Sequence, residues 1–136
     1  MFFTINVEAI EFNLNSNHAI LYNLNDNSIL YELDSKTQVN VASLTKIMAT
    51  IVGIENNDNL DKTVIITKDA LKGISEYTKV GYKVGDKTTI KDLLYGTMLP
   101  SGADAANALA IHTSGSVDKF VDLMNDKFKK IIKLLA

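Results

Sequence analysis

The sequence contains no cysteine, no tryptophan and, although 14 of its 136 residues are basic, no arginine; proline occurs once, at Pro100. Without cysteine there is no disulfide, no thiolate nucleophile and no Cys-ligated zinc. Without arginine no guanidinium fork can grip a phosphate, and a formal net charge of -2 gives nucleic acid little to bind. Nucleic-acid partners are therefore not expected. The two histidines, His18 and His112, have no metal-ligand spacing, so no metal is expected either. No apolar run reaches the roughly 20 residues of a membrane-spanning helix. Hydrophobic residues at 46% and charged residues at 22% exclude a disordered tail or a fibre and fit a folded domain.

Residues 1–16 read as an N-terminal extension and 17–136 as one domain. Met1 to Phe12 are mildly apolar, but Glu8 and Glu11 stand where a signal peptide is uncharged. They are read as a frayed or edge-pairing remnant of a leader. Ala19 to Leu24 and Ser28 to Leu33, around Asn25-Asp26-Asn27, predict a hairpin, because Asn and Asp tolerate positive φ. Two strands cannot bury a face alone, so either a helix from Val41 covers them or further strands are missing from this chain. Val41 to Ile54 is apolar around nearly its whole circumference and predicts a buried helix.

Thr63 to Thr67 reads as a short strand, Asp69 to Leu71 as a short helix, and Gly81 and Gly85 as loop punctuation. Thr89 is a candidate N-cap for Ile90 to Leu99, with Asp92 in the first turn. Pro100 ends that helix and Ser101-Gly102 forms a corner. The alanine-rich stretch Ala103 to His112 predicts another helix. A last helix starts at Ser116, with Phe120, Leu123, Met124 and Phe128 at helical spacing. Asp58, Asp61 and Asp69 read as solvated loop or cap residues, and Tyr77, Tyr82 and Tyr95 as core-edge side chains.

The chemistry concentrates in Ser43-Leu44-Thr45-Lys46, an S-x-x-K pattern that sets a serine hydroxyl and a lysine amine on one helix face. A hydroxyl is a poor nucleophile until a base takes its proton. A lysine can be that base when burial disfavours its ammonium, as expected for Lys46 in a buried helix. The pattern alone is weak: eight serines among 14 lysines in 136 residues give roughly 0.8 chance matches. Ser116-Val117-Asp118-Lys119 is a second match, in which Ser116 reads as an N-cap only. Ser43 taken in isolation could equally be a cap.

Context separates them. Four runs stand in order: Ala42-Ser43-Leu44-Thr45-Lys46-Ile47-Met48, Val84-Gly85-Asp86, Asp92-Leu93-Leu94-Tyr95-Gly96 and Leu99-Pro100-Ser101-Gly102-Ala103-Asp104-Ala105-Ala106-Asn107. On these motifs the chain, from Asn17 to about Asn125, resembles the serine D-alanyl-D-alanine carboxypeptidases, low-molecular-weight penicillin-binding proteins that share a fold with serine β-lactamases. It implies an α/β fold of the β-lactamase and transpeptidase type, incomplete here: an N-terminal hairpin and a mainly helical part. It also implies cleavage of the terminal D-Ala from peptidoglycan stem peptides through an acyl-enzyme, trapping by β-lactams, no cofactor, and a place outside the cytoplasmic membrane. By position, Ser43 resembles the nucleophile, Lys46 its proton acceptor and Ser101 the second serine of a hydroxyl relay. Ala42, Gly102 and Ala103 resemble residues that face the substrate.

Two departures stand out. Ala103 occupies the position of a usual asparagine and cannot hydrogen-bond a substrate amide or orient Lys46. Asn107, one turn on, is displaced. No Lys-Thr-Gly or Lys-Ser-Gly occurs, so the family's third motif is absent from this chain. These departures keep a non-catalytic peptidoglycan-binding or interaction remnant open beside the enzyme, as does a β-lactamase, for which no deacylating carboxylate is identifiable. The basic, amphipathic stretch from Lys127 to Ala136 reads as a helix docked on the core or as a contact for anionic lipid.

Overall fold

Short polar side chains set the first turn. Asn23 Oδ1 accepts the Asn25 N–H at 2.9 Å, and Asp26 Oδ1 accepts both the N–H and the hydroxyl of Ser28, at 3.0 and 2.6 Å. These local bonds let Asn27 adopt φ 57° and reverse the chain. β1 (Ala19–Asn23) and β2 (Ser28–Leu33) pair antiparallel with an irregularity between Leu21 and Tyr22, as the sequence predicts. The computed structural model describes residues 13–135, and the reading of Met1 to Phe12 lies outside them. The chain forms two units, 1–40 and 41–136. In the first, Ile20, Leu21, Ile29 and Leu30 remain half or more exposed.

The second unit is a helical layer with a small hairpin. β3 (Thr63–Ile65) pairs antiparallel with β4 (Lys87–Thr89). Sequence patterning misses β4, because three residues running straight into a helix show no alternation. α2 (Ile90–Met98) begins at that strand's last residue: Thr89 Oγ1 accepts the Asp92 N–H at 3.0 Å, while the Asp92 carboxylate accepts the Thr89 N–H at 3.2 Å. This reciprocal cap confirms the predicted helix start. α3 (Ala103–Ser114) ends at Gly115, whose φ of 87° gives the left-handed stop that glycine makes without strain. α4 runs from Val117 to Leu135.

Two apolar clusters hold these elements. Val64, Ile66 and Ala70 pack with Ile90, Leu93 and Leu94 of α2 and with Ala105 and Leu109 of α3. Leu93 and Leu109 are fully buried, each contributing about 1.5–3 kcal/mol relative to exposure. The second cluster joins Ala49 and Val52 to Ala110 of α3 and Phe120 of α4.

The expected Val41 to Ile54 helix differs from what the structure shows. Ala42–Leu44 is a single 3-10 turn, and α1 spans Thr45–Glu55 with only Ala49, Val52 and Gly53 buried. Val41, Leu44, Ile47 and Ile54 are about half exposed or more. Periodicity reports which residues are apolar, whereas burial depends on what packs against each face. Here α2, α3 and α4 pack against one face only. At Gly53 a methyl group would lie 2.8 Å from Leu109 Cδ2 and 3.1 Å from Leu94 Cδ2, so glycine permits that close approach. Tyr82 packs on the core edge as expected, but Tyr77 and Tyr95 are 64% and 60% exposed. Tyr77 lies in a loop, and Tyr95 points away from the face that buries Leu93 and Leu94.

Candidate active site

Among the described residues four non-glycine residues have positive φ: Asn27, Asp34, Ala42 and Ser101. Asn and Asp visit left-handed backbone readily, and both lie in turns of the first unit. Ala42 and Ser101, at φ 45° and 58°, have no such tolerance. Each costs on the order of 1–3 kcal/mol and persists only where surrounding structure enforces it. Ala42 immediately precedes Ser43. Ser101 is itself a candidate residue, at the corner before α3. One strained position is thus a candidate serine itself and the other adjoins the second candidate serine.

Ser43 sits exposed in the 3-10 turn, and neither that turn nor α1 receives a side-chain cap. The cap reading of Ser43 is therefore wrong. By contrast Ser116 Oγ accepts the Lys119 N–H at 3.2 Å, so the second S-x-x-K match is the cap it was expected to be. Lys46 lies in the first turn of α1, half-buried, and enters no ion pair among the described residues. It shares with Ala103 the wall of a cavity of about 390 Å3 between α1, α3 and α4. Asn107 lines the same wall, one turn beyond Ala103. Ser43 and Ser101 do not line it; they stand at the turns that open α1 and α3.

Ser101 Oγ is shut off from solvent and has no hydrogen-bond partner. An orphaned buried hydroxyl costs about 1–3 kcal/mol; Thr50 and Thr97 share this state, but only Ser101 combines it with left-handed backbone. The corner around it is clamped. Gly102 N–H donates to Gly96 O at 2.9 Å and Ala103 N–H donates to Thr78 O at 2.8 Å. Gly102 is buried, and a methyl group there would meet Gly96 O and Val80 Cγ2 at 2.8 Å and Asp104 Oδ1 at 3.0 Å. Its lack of a side chain lets α2 and α3 meet directly beneath Ser101.

Asp104 completes the clamp. Its carboxylate is 1% exposed and accepts the backbone N–H groups of Val80, Gly81 and Tyr82 at 2.8–3.0 Å, with Ala105 N–H at 2.9 Å. Burial alone would push this carboxyl up, but the four N–H donors outweigh it and hold it below its ordinary value. The only sequence trace of this role is an acid in the first turn of an alanine-rich helix. Both histidines serve the fold: His18 Nδ1 bonds Asp34 O at 2.9 Å, and His112 Nε2 bonds Ile65 O at 2.8 Å.

A strained serine turn, an S-x-x-K pair and a second clamped serine converge with what similarity finds. The family model described as D-alanyl-D-alanine carboxypeptidase matches residues 4–132. The chain belongs to the D-alanyl-D-alanine carboxypeptidase family. It is 42% identical over 109 residues to a D-alanyl-D-alanine carboxypeptidase of a Streptomyces species, covering 71% of this chain and 36% of that one. It is 32% identical over 118 residues to the Bacillus subtilis carboxypeptidase DacF, covering 83% and 30%. Among solved structures it resembles the Francisella tularensis carboxypeptidase DacD with a TM-score of 0.81 at 30% identity, covering 94% of this chain and 32% of that chain. A variant of a Streptomyces DD-transpeptidase superposes with a TM-score of 0.78 at 31% identity, covering 88% and 50%. The α/β penicillin-binding fold expected from sequence is thus shown. The chain spans about a third of the length of the curated carboxypeptidases it matches.

Proposed function

We propose that this chain carries the nucleophile half of a serine D-Ala-D-Ala carboxypeptidase acting on peptidoglycan stem peptides. Ser43 Oγ attacks the carbonyl carbon of the penultimate D-Ala, and Lys46 accepts the hydroxyl proton. Ser101 passes a proton to the departing amine of the terminal D-Ala. Water then attacks the Ser43 ester and releases the shortened peptide. Proton assistance of this kind is typically worth about 10²- to 10⁴-fold. Ala42 and Ala103 flank the substrate, and Gly102 holds the corner beneath it. The hydroxyl of left-handed Ser101 carries this reading, because it combines backbone strain at the corner before α3 with a hydrogen-bonding capacity that no neighbour uses. Family membership favours the carboxypeptidase reading over a β-lactamase.

Fluorescent penicillin tests it. Covalent labelling that disappears in Ser43→Ala and falls steeply in Lys46→Ala is the expected outcome, and β-lactams should compete. Absence of labelling in the intact chain at millimolar penicillin would show that Ser43 and Lys46 do not react without a Lys-Thr-Gly wall. The same reading locates the protein at the outer side of the cytoplasmic membrane.

One observation favours a membrane contact. Phe120 anchors the first half of α4 in the core, but Phe128 and Ile132 in its second half are 55% and 48% exposed beside Lys129, Lys130 and Lys133. A basic helix with an uncovered apolar stripe adsorbs to anionic bilayers, gaining about 1 kcal/mol per lysine near the surface. Co-sedimentation with phosphatidylglycerol vesicles, lost in Phe128→Ser with Ile132→Ser, is the corresponding test. No helix among the described residues is long and apolar enough to cross a membrane.

A further inference from the structure

The cavity between α1, α3 and α4 has a chemistry of its own. At about 390 Å3 it falls within the roughly 300–1,000 Å3 range of small-molecule pockets. Ile74, Phe120, Val121 and Met124 give it apolar walls, and Ala106 and Ala110 are too small to fill the space opposite. Its cations are Lys46 from α1 and Lys72, just after the short helix Asp69–Leu71, and neither enters an ion pair among the described residues. No carboxylate lines it. Two lysines in a lining without a carboxylate favour an anion there. Asn107 adds an amide that can donate to the same oxygen atoms.

We propose that this cavity binds a small apolar monocarboxylate, its hydrocarbon body between α3 and α4 and its carboxylate against Lys46 and Lys72. Thr45 and Tyr77 add hydroxyl-bearing residues to the lining, but its largely apolar walls favour a hydrocarbon body over a phosphate or other hydrated anion. Binding there does not require Ser43 to be a nucleophile, since neither Ser43 nor Ser101 lines the cavity.

NMR titration of the intact chain with phenylbutyrate, and with its uncharged isostere phenylbutyramide, tests this directly. Saturating shifts at backbone amides of residues 45–49, 72–77 and 103–110 are expected, with the amide binding at least about fivefold more weakly than the acid. Lys72→Glu should weaken the acid by a similar factor and leave the amide unchanged. Ala106→Leu, filling the hollow from a half-buried position, should abolish both. Shifts that never saturate, equal affinities for acid and amide, or indifference to Lys72→Glu would overturn the proposal. Penicillin labelling of Ser43, measured in parallel samples without the acid because the acid would occupy Lys46, reports separately on the catalytic reading.

Discussion

Gly96 and Gly102 meet backbone to backbone: Gly102 donates its amide hydrogen to Gly96 O at 2.9 Å, and a methyl group on Gly102 would lie 2.8 Å from that oxygen. This contact seats the end of α2 against the start of α3 and fixes the corner on which Ser101 stands. Gly102→Ala drives a methyl group against a backbone carbonyl and a hydrogen-bonded carboxylate as well as Val80 Cγ2, and the carbonyl has no side-chain freedom with which to move aside. It should destabilise the chain by about 2–3 kcal/mol. Urea denaturation of the two proteins measures this, and a change under about 0.5 kcal/mol would refute the packing role.

Ser101→Ala should move stability the other way. It removes a buried oxygen without a partner, so the chain should gain about 1 kcal/mol in urea denaturation while penicillin labelling slows. A loss of stability would mean that the hydroxyl has a partner in solution.

Asp104 gives the fold an acid-sensitive tie. Its carboxyl lies below the ordinary value of 3.8 in the folded chain, so the unfolded chain binds its proton first as pH drops. The stability it contributes is complete above the unfolded value and disappears as pH falls through the lower folded value. Asp104→Asn should therefore cost about 2–3 kcal/mol at neutral pH and progressively less below pH ~4. Thermal midpoints of both proteins across that range decide the matter, and a difference independent of pH would exclude the carboxylate as its source.

The two S-x-x-K serines should separate cleanly. Ser116→Ala loses a helix cap and about 1 kcal/mol while penicillin labelling persists. Ser43→Ala should change stability by less than about 0.5 kcal/mol, because its exposed hydroxyl caps nothing, and should abolish labelling. Reversal of either pair of outcomes would reverse the assignment of roles.

Sequence alone determined the features whose physics is local. Asn25-Asp26-Asn27 reads as a turn because short side chains bond their own backbone. Thr89 with Asp92 reads as a helix start because the reciprocal cap spans four residues. Ser43 and Lys46 read as a candidate pair because side chains three positions apart on a helix share a face. The tertiary structure decided everything that depends on contact between distant segments. It left one side of the helix around Lys46 exposed, since three helices pack on one of its faces and none on the other. It turned Asp104 from a first-turn acid into the anchor of residues 80–82, and set Lys46 beside Lys72 and Asn107 around a hollow. Burial and charge pairing are properties of neighbours brought in from far along the chain, and local pattern carries no record of them.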